Sequence, residues 1–170
     1  MILKKNLVFL GMMGSGKSSI GYLISKRLNL AFIDVDDLIE EARGMSISEI
    51  FKTKGEKYFR NLEEKITLHA LKEVNKVISL GGGGFINNKI RKEVLINHFS
   101  FWLNWEESIL LDRIKNSKKR PLAFQASNYE IKKIIKKRND TYSKAQFNIN
   151  CNKLTKAQIV KNIIKIYELN

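Results

Sequence analysis

Short runs of apolar, β-branched and aromatic residues alternate along the chain with longer stretches in which apolar positions recur every three or four residues. Asn6–Leu10 (NLVFL), Ala31–Asp34, Val77–Leu80 (VISL), Phe99–Leu103 (FSFWL) and Phe147–Cys151 (FNINC) have the length and make-up of buried strands. Helical spacing covers Lys17–Leu28 and segments 106–115, 128–144 and 155–168. Strands separated by helices require crossover connections, which place helices on both faces of a parallel sheet. The pattern predicts one α/β domain over residues 1–170, three layers deep on a five-stranded parallel sheet.

Two stretches interrupt the alternation. Residues 35–75 carry no strand signal and read as a helical insertion on one rim of the sheet, with Asp36–Arg43, Ser46–Thr53 and Glu56–Val74 helical. Ser46 and Ser48 are candidate caps, and Glu49 stands where a capping box needs it. Asp36 is a further candidate N-cap. Residues 116–128 are irregular, contain Pro121, the chain's single proline, and suit a lid.

The 170 residues are enough for a substantial core, and the single cysteine, Cys151, excludes an internal disulfide. Apolar runs of only a few residues predict neither a membrane span nor a secretory leader, so a cytoplasmic protein is expected. Charge changes the picture more. There are 31 basic and 17 acidic side chains, a net +14, and most of the excess lies beyond residue 111. That invites a nucleic-acid partner, but the lysines are scattered along helices with no interleaved aromatics on which bases could stack. Solvated lysines and an anion-binding site account for the charge without nucleic acid.

The sharpest chemical signal is Gly11-Met12-Met13-Gly14-Ser15-Gly16-Lys17-Ser18, which matches G-x-x-x-x-G-K-[ST] between a predicted strand and a predicted helix. Glycines let successive backbone N–H groups face one concavity, where the positive end of the helix dipole adds to them. Gly14, Ser15, Gly16, Lys17, Ser18 and Ser19 are the candidate nucleotide-binding residues, with Lys17 reaching the terminal phosphates and Ser18 a Mg²⁺ ligand. A GTP switch is disfavoured, because the nearest approach to a guanine-reading N-K-x-D is Asn152-Lys153-Leu154-Thr155. The third strand also runs into glycines where a metal-supporting aspartate would be usual.

Carboxylates Asp34, Asp36 and Asp37 end the second strand at the edge where open α/β sheets bind ligands. One of them can hold metal-bound water and another can accept a substrate hydroxyl's proton. In Phe59-Arg60-Asn61-Leu62-Glu63, Phe59, Leu62 and Ile66 form the apolar stripe, which leaves Arg60 off the core and one turn from Glu63. A guanidinium braced there can grip a carboxylate through two parallel hydrogen bonds. Gly81–Gly84 is too costly in entropy for a plain loop and suggests close approach of backbone to a ligand.

Together these motifs resemble the shikimate kinases: the phosphate loop, the D-x-D of Asp34 and Asp36, the F-R-x-x-E of Phe59 to Glu63, the glycine triplet after the third strand, Arg120-Pro121-Leu122 and the R-x-x-x-Y of Arg138 and Tyr142 follow that family's order. The resemblance implies a P-loop kinase fold and transfer of the ATP γ-phosphoryl group to the 3-hydroxyl of shikimate. It implies shikimate contacts from Asp36, Arg60, Gly82 and Arg138, Mg²⁺ support from Asp34 beside Ser18, and catalytic roles for Lys17, Asp36 and the lid residue Arg120. A monomer with neither nucleic-acid nor membrane partner is expected. A kinase of another small acceptor such as gluconate, or a basic nucleic-acid-binding ATPase, is the alternative. One departure matters: where the family has R-x-P-x-Y, this chain has Arg138-Asn139-Asp140-Thr141-Tyr142, which leaves the aim of Arg138 open and sets a carboxylate near it.

Overall fold

The computed structural model describes residues 5–116 and 126–170, so Arg120 and most of the expected 116–128 lid lie outside the described residues. Strands β1 (Leu7–Leu10), β2 (Ala31–Asp34), β3 (Lys76–Ser79), β4 (Phe99–Asn104) and β5 (Phe147–Asn150) form one parallel sheet in the order β2-β3-β1-β4-β5. Around it run α1 (Lys17–Leu28), α2 (Val35–Arg43), α3 (Ile47–Ala70), α4 (Asn88–Asn97), α5 (Glu107–Lys115), α6 (Asn128–Tyr142) and α7 (Lys156–Glu168).

The alternation of side chains along each strand divides the core in two. Leu7 and Phe9 of β1 join Val77, Phe101 and Leu103 on the face covered by Ile20 and Ile24 of α1 and Ile159 and Ile163 of α7. Val8 and Leu10 join Ile78 and Trp102 on the other face, under apolar residues of α2 to α6. All four residues of β1 are buried, which is why its sequence reads as an unbroken apolar run.

Local chemistry sets the helix boundaries. Ser46 and Glu49 form the expected capping box at the start of α3. The chain is non-helical at Gly55 (φ 81°, ψ 170°), between the two helices expected at 46–53 and 56–74, and the second of these stops earlier, at Ala70. The cap of α2 is Asp34 and not Asp36: Asp34 Oδ1 accepts from the Asp36 backbone N–H at 3.0 Å. Helix α4 has no counterpart in the sequence expectations. Asn87 caps it by accepting from the N–H groups of Lys89 and Ile90, while Ile90 and Val94 are its buried residues. Its neighbours Leu95 and Ile96 are exposed, and this apolar excess blurs the helical period.

At the amino end of the sheet, buried Asn6 ties three segments together. Its Nδ2 donates to Glu73 O at 2.6 Å, its Oδ1 accepts from Lys76 N at 2.9 Å, and its own N–H donates to His98 Nδ1 at 3.4 Å. His98 is accordingly buried beyond the end of α4, whereas His69 is exposed. With this end occupied by packing, the opposite edge collects the loops after β1, β2, β3 and β4, where parallel α/β sheets bind ligands.

Candidate functional site

The loop leaving β1 is held open by three glycines with positive φ, Gly11 (139°), Gly14 (78°) and Gly16 (88°). Gly16 caps α1 without a side-chain bond, and no acidic residue stands in that helix's first turn, so nothing there offsets the positive end of the dipole. Lys17 is buried and folds back so that Nζ donates to Gly11 O and Met12 O, each at 3.0 Å. Ser15 Oγ is buried without a hydrogen-bond partner, a polar atom in the loop awaiting one. Ser18 is exposed on the first turn, while Ser19 Oγ accepts from Lys156 Nζ at 3.1 Å and so links α1 to α7.

Two residues outside the sequence motifs brace this loop. Trp105 Nε1 donates to Ser15 O at 2.9 Å, and Arg113 of α5 donates to Gly14 O at 3.3 Å. The Arg113 guanidinium lies 3.9 Å from the centre of the Trp105 ring, so the two form one cation–π unit against the loop. Both bonds span some ninety or more positions in sequence, and no local pattern encodes them.

Across the edge, the loop after β3 gathers the second set. Arg60 Nη1 donates to Glu63 Oε2 at 2.7 Å, and Arg60 Nε lies 3.5 Å from Glu56 Oε1. Glu63 is 3% exposed and Arg60 36%, so the pair runs from a buried carboxylate to a guanidinium that still faces outward. Phe51 and Phe59 pack beneath with tilted rings, 4.5 Å between centroids. The glycines fit this cluster closely. A Cβ on Gly81 would lie 2.7 Å from both Asp36 Oδ1 and Glu63 Oε1, and one on Gly83 would fall 2.9 Å from Arg60 Cζ. Gly82 faces the phosphate loop, where its Cβ would be 3.3 Å from Met13 N.

Helix α6 closes the far side. Arg138 Nη1 donates to Gly82 O at 3.3 Å and approaches Met12 Sδ at 3.7 Å. Tyr142 donates its hydroxyl to the same Gly82 oxygen. The helix continues through residues 138–142 despite the missing proline, and Asp140 is exposed, so the carboxylate set near Arg138 in sequence does not capture it. Tyr142 is 1% exposed, and burial pushes its phenol up to about 12. Burial likewise pushes the Cys151 thiol up to about 12; it is fully buried and inert as a nucleophile.

Of the expected residues, then, Asp36, Arg60, Gly82 and Arg138 converge on one loop that touches the phosphate loop. Asp34 stands at the start of α2 beside them, Asp37 is exposed, and Arg120 lies outside the described residues. Among the described residues no group of three or more His, Cys, Asp or Glu side chains could enclose a metal by itself. No helix among them is long and apolar enough to cross a membrane.

A family model described as Shikimate kinase matches residues 13–168. The Shikimate kinase of Thermodesulfovibrio yellowstonii is 40% identical over 166 residues, covering 96% of this chain and 95% of the relative. The Acinetobacter baumannii shikimate kinase, solved in complex with shikimate, superposes with a TM-score of 0.91 at 25% identity, over 98% of this chain and 94% of that one. The Aquifex aeolicus shikimate kinase gives a TM-score of 0.86 at 35% identity, over 96% of each chain. A gluconokinase from Sinorhizobium meliloti, at 16% identity and a TM-score of 0.59, shares the fold alone.

Proposed function

The chain belongs to the shikimate kinase family and has its activity, ATP-dependent phosphorylation of shikimate, and on that premise we propose how its own residues divide the work. The loop amides of Gly14, Ser15 and Gly16, with Lys17, Ser18 and Ser19, cradle the ATP phosphates. Arg60 and Arg138 grip the shikimate carboxylate, and Asp36 and the Gly82 backbone hold its hydroxyls. The observation that carries this reading is the convergence of Asp36, Arg60, Glu63 and Arg138 on Gly81–Gly83, with Gly82 against the phosphate loop.

Asp36 orients the 3-hydroxyl and takes its proton as that oxygen forms a bond to the γ-phosphorus and the bond to the β–γ bridging oxygen breaks. Lys17 and the positive end of α1 stabilise charge on the transferred group. Arg120, outside the described residues, is assigned to the same charge from the lid at 116–128, whose closure excludes water as a competing acceptor.

The donor set suits Mg²⁺, which keeps most of its waters and takes few protein oxygens besides those of phosphate. Ser18 would hold the ion directly and Asp34, whose Oδ1 is engaged in capping α2, would hold it through water. Bound there, Mg²⁺ supplies neutralisation of phosphate charge. We further assign residues 1–170 to one kinase domain with 35–75 as its substrate-binding part, acting as a cytoplasmic monomer.

An ADP-release assay with ATP and Mg²⁺ tests the reading. Release is expected to be slow alone, fast with shikimate, and not comparably raised by gluconate, AMP or nucleic acid. Equal rates with and without shikimate would overturn it.

A further inference from the structure

Helix α6 sends two donors to one acceptor. Tyr142 and Arg138 are four residues apart, on one face of the helix, and both donate to the Gly82 carbonyl oxygen. A carbonyl has two lone pairs, so the bonds coexist. They are unequal. The tyrosine bond is the shorter, comes from a side chain 1% exposed, and uses the only proton that hydroxyl has. Burial keeps the phenol neutral by pushing it up to about 12, so it stays a donor throughout the physiological range. The Arg138 bond is long at 3.3 Å, and its companion contact is a thioether sulfur at 3.7 Å, a weak acceptor.

We infer that Tyr142 is a positioning residue for the acceptor half of the site: its hydroxyl fixes the Gly82 peptide and keeps that carbonyl satisfied, so that Arg138 can leave Gly82 for the substrate carboxylate. The inference rests on the carboxylate-binding role proposed for Arg138. Without the hydroxyl, Arg138 becomes the carbonyl's remaining side-chain donor, and withdrawing it to bind substrate strands a polar group. Substrate then competes with Gly82 for the same guanidinium. Packing is untouched, because a phenylalanine keeps the ring against Trp102, whose centroid is 6.1 Å away.

Kinetics of full-length Tyr142→Phe, Arg138→Met and the double variant test this. In Tyr142→Phe the KM for shikimate is expected to rise about tenfold, with the KM for ATP unchanged. A purely structural role would instead lower kcat and the melting temperature without separating the two substrates. In the double variant, losing the hydroxyl should add nothing to the defect of Arg138→Met. A native shikimate KM in Tyr142→Phe, equal rises for both substrates, or multiplicative effects in the double variant would overturn the inference while leaving Arg138 in its role. An unchanged shikimate KM in Arg138→Met would overturn that role and the inference with it. Should Tyr142→Phe not fold, 3-fluorotyrosine at position 142 provides a second reading. Its ¹⁹F resonance should move on adding shikimate, and a resonance that shikimate leaves in place overturns the inference.

Discussion

The loops after β1 and β3 meet at the same edge of the sheet, both are rich in glycine, and they need it for different reasons. In the first, Gly11, Gly14 and Gly16 occupy the left-handed half of backbone space, at φ 139°, 78° and 88°. Space there is ample at Gly16, where the nearest atom to a Cβ would be 4.0 Å away. In the second, none of Gly81–Gly84 has positive φ, and a side chain on Gly81 or Gly83 would meet the cluster of Asp36, Glu63 and Arg60. The first loop uses glycine for its backbone, and at Gly11 also for close packing, since a Cβ there would lie 3.0 Å from Leu103 O; the second uses it for its missing side chain alone. The first presents N–H groups to an anion in a shape only glycine adopts cheaply. The second lets charged side chains from α2 and α3 close onto a backbone that approaches substrate.

The comparison is tested most severely at Gly81. A Gly81→Ala methyl would wedge between Asp36 and Glu63, and kcat/KM for shikimate should fall by about 10²-fold while the KM for ATP holds. A matching rise in the ATP KM would show that the loops do not divide the two substrates. Arg60→Lys comes next. Lysine cannot form the two parallel bonds of a guanidinium, so the shikimate KM should rise about tenfold in steady-state assays, again with ATP unaffected. Gly16→Ala should invert the pattern. Strain at φ 88° should remove about 1–2 kcal/mol of stability in urea unfolding and raise the ATP KM, leaving shikimate near its native value.

The smallest effect lies away from both loops, at His98. Burial, with a smaller push from Lys5, holds this histidine below its ordinary range, and Glu93 only partly opposes them. The unfolded chain therefore binds a proton that the folded chain refuses, so stability is lost as pH falls through the ordinary histidine range. The melting temperature should drop between about pH 7.5 and about pH 5.5, and less so in His98→Gln, with both KM values untouched.

The phosphate loop was legible because its eight positions are contiguous and flanked by a strand and a helix. Arg60 and Glu63 were legible because a bond between residues three apart on a helix is local. The bracing of the same loop by Trp105 and Arg113 was not, since it exists only once β4 and α5 have been laid beside β1. The cap of α2 fell to Asp34 and not to Asp36 because both have the side chain to cap a helix, and the strand's actual end decides between them. Loss of the family proline reads in sequence as a disturbance. In the fold, a residue with its own N–H continues α6 as well as or better than proline does, and Arg138 still reaches Gly82.

The chain's two tryptophans both stand at this edge, and Trp102 borders the phosphate loop at Gly11 as well as the acceptor side. Trp105 is hydrogen-bonded to the phosphate loop and lies under the Arg113 charge, whereas Trp102 packs beside Tyr142, which holds the glycine loop. The protein thus carries two built-in optical reporters. In Trp102→Phe the remaining emission would follow nucleotide arriving at the phosphate loop. In Trp105→Phe the remaining indole, set between Tyr142 and Gly11, would sense both halves, so a change seen with shikimate in that variant alone would report the acceptor side without an added label.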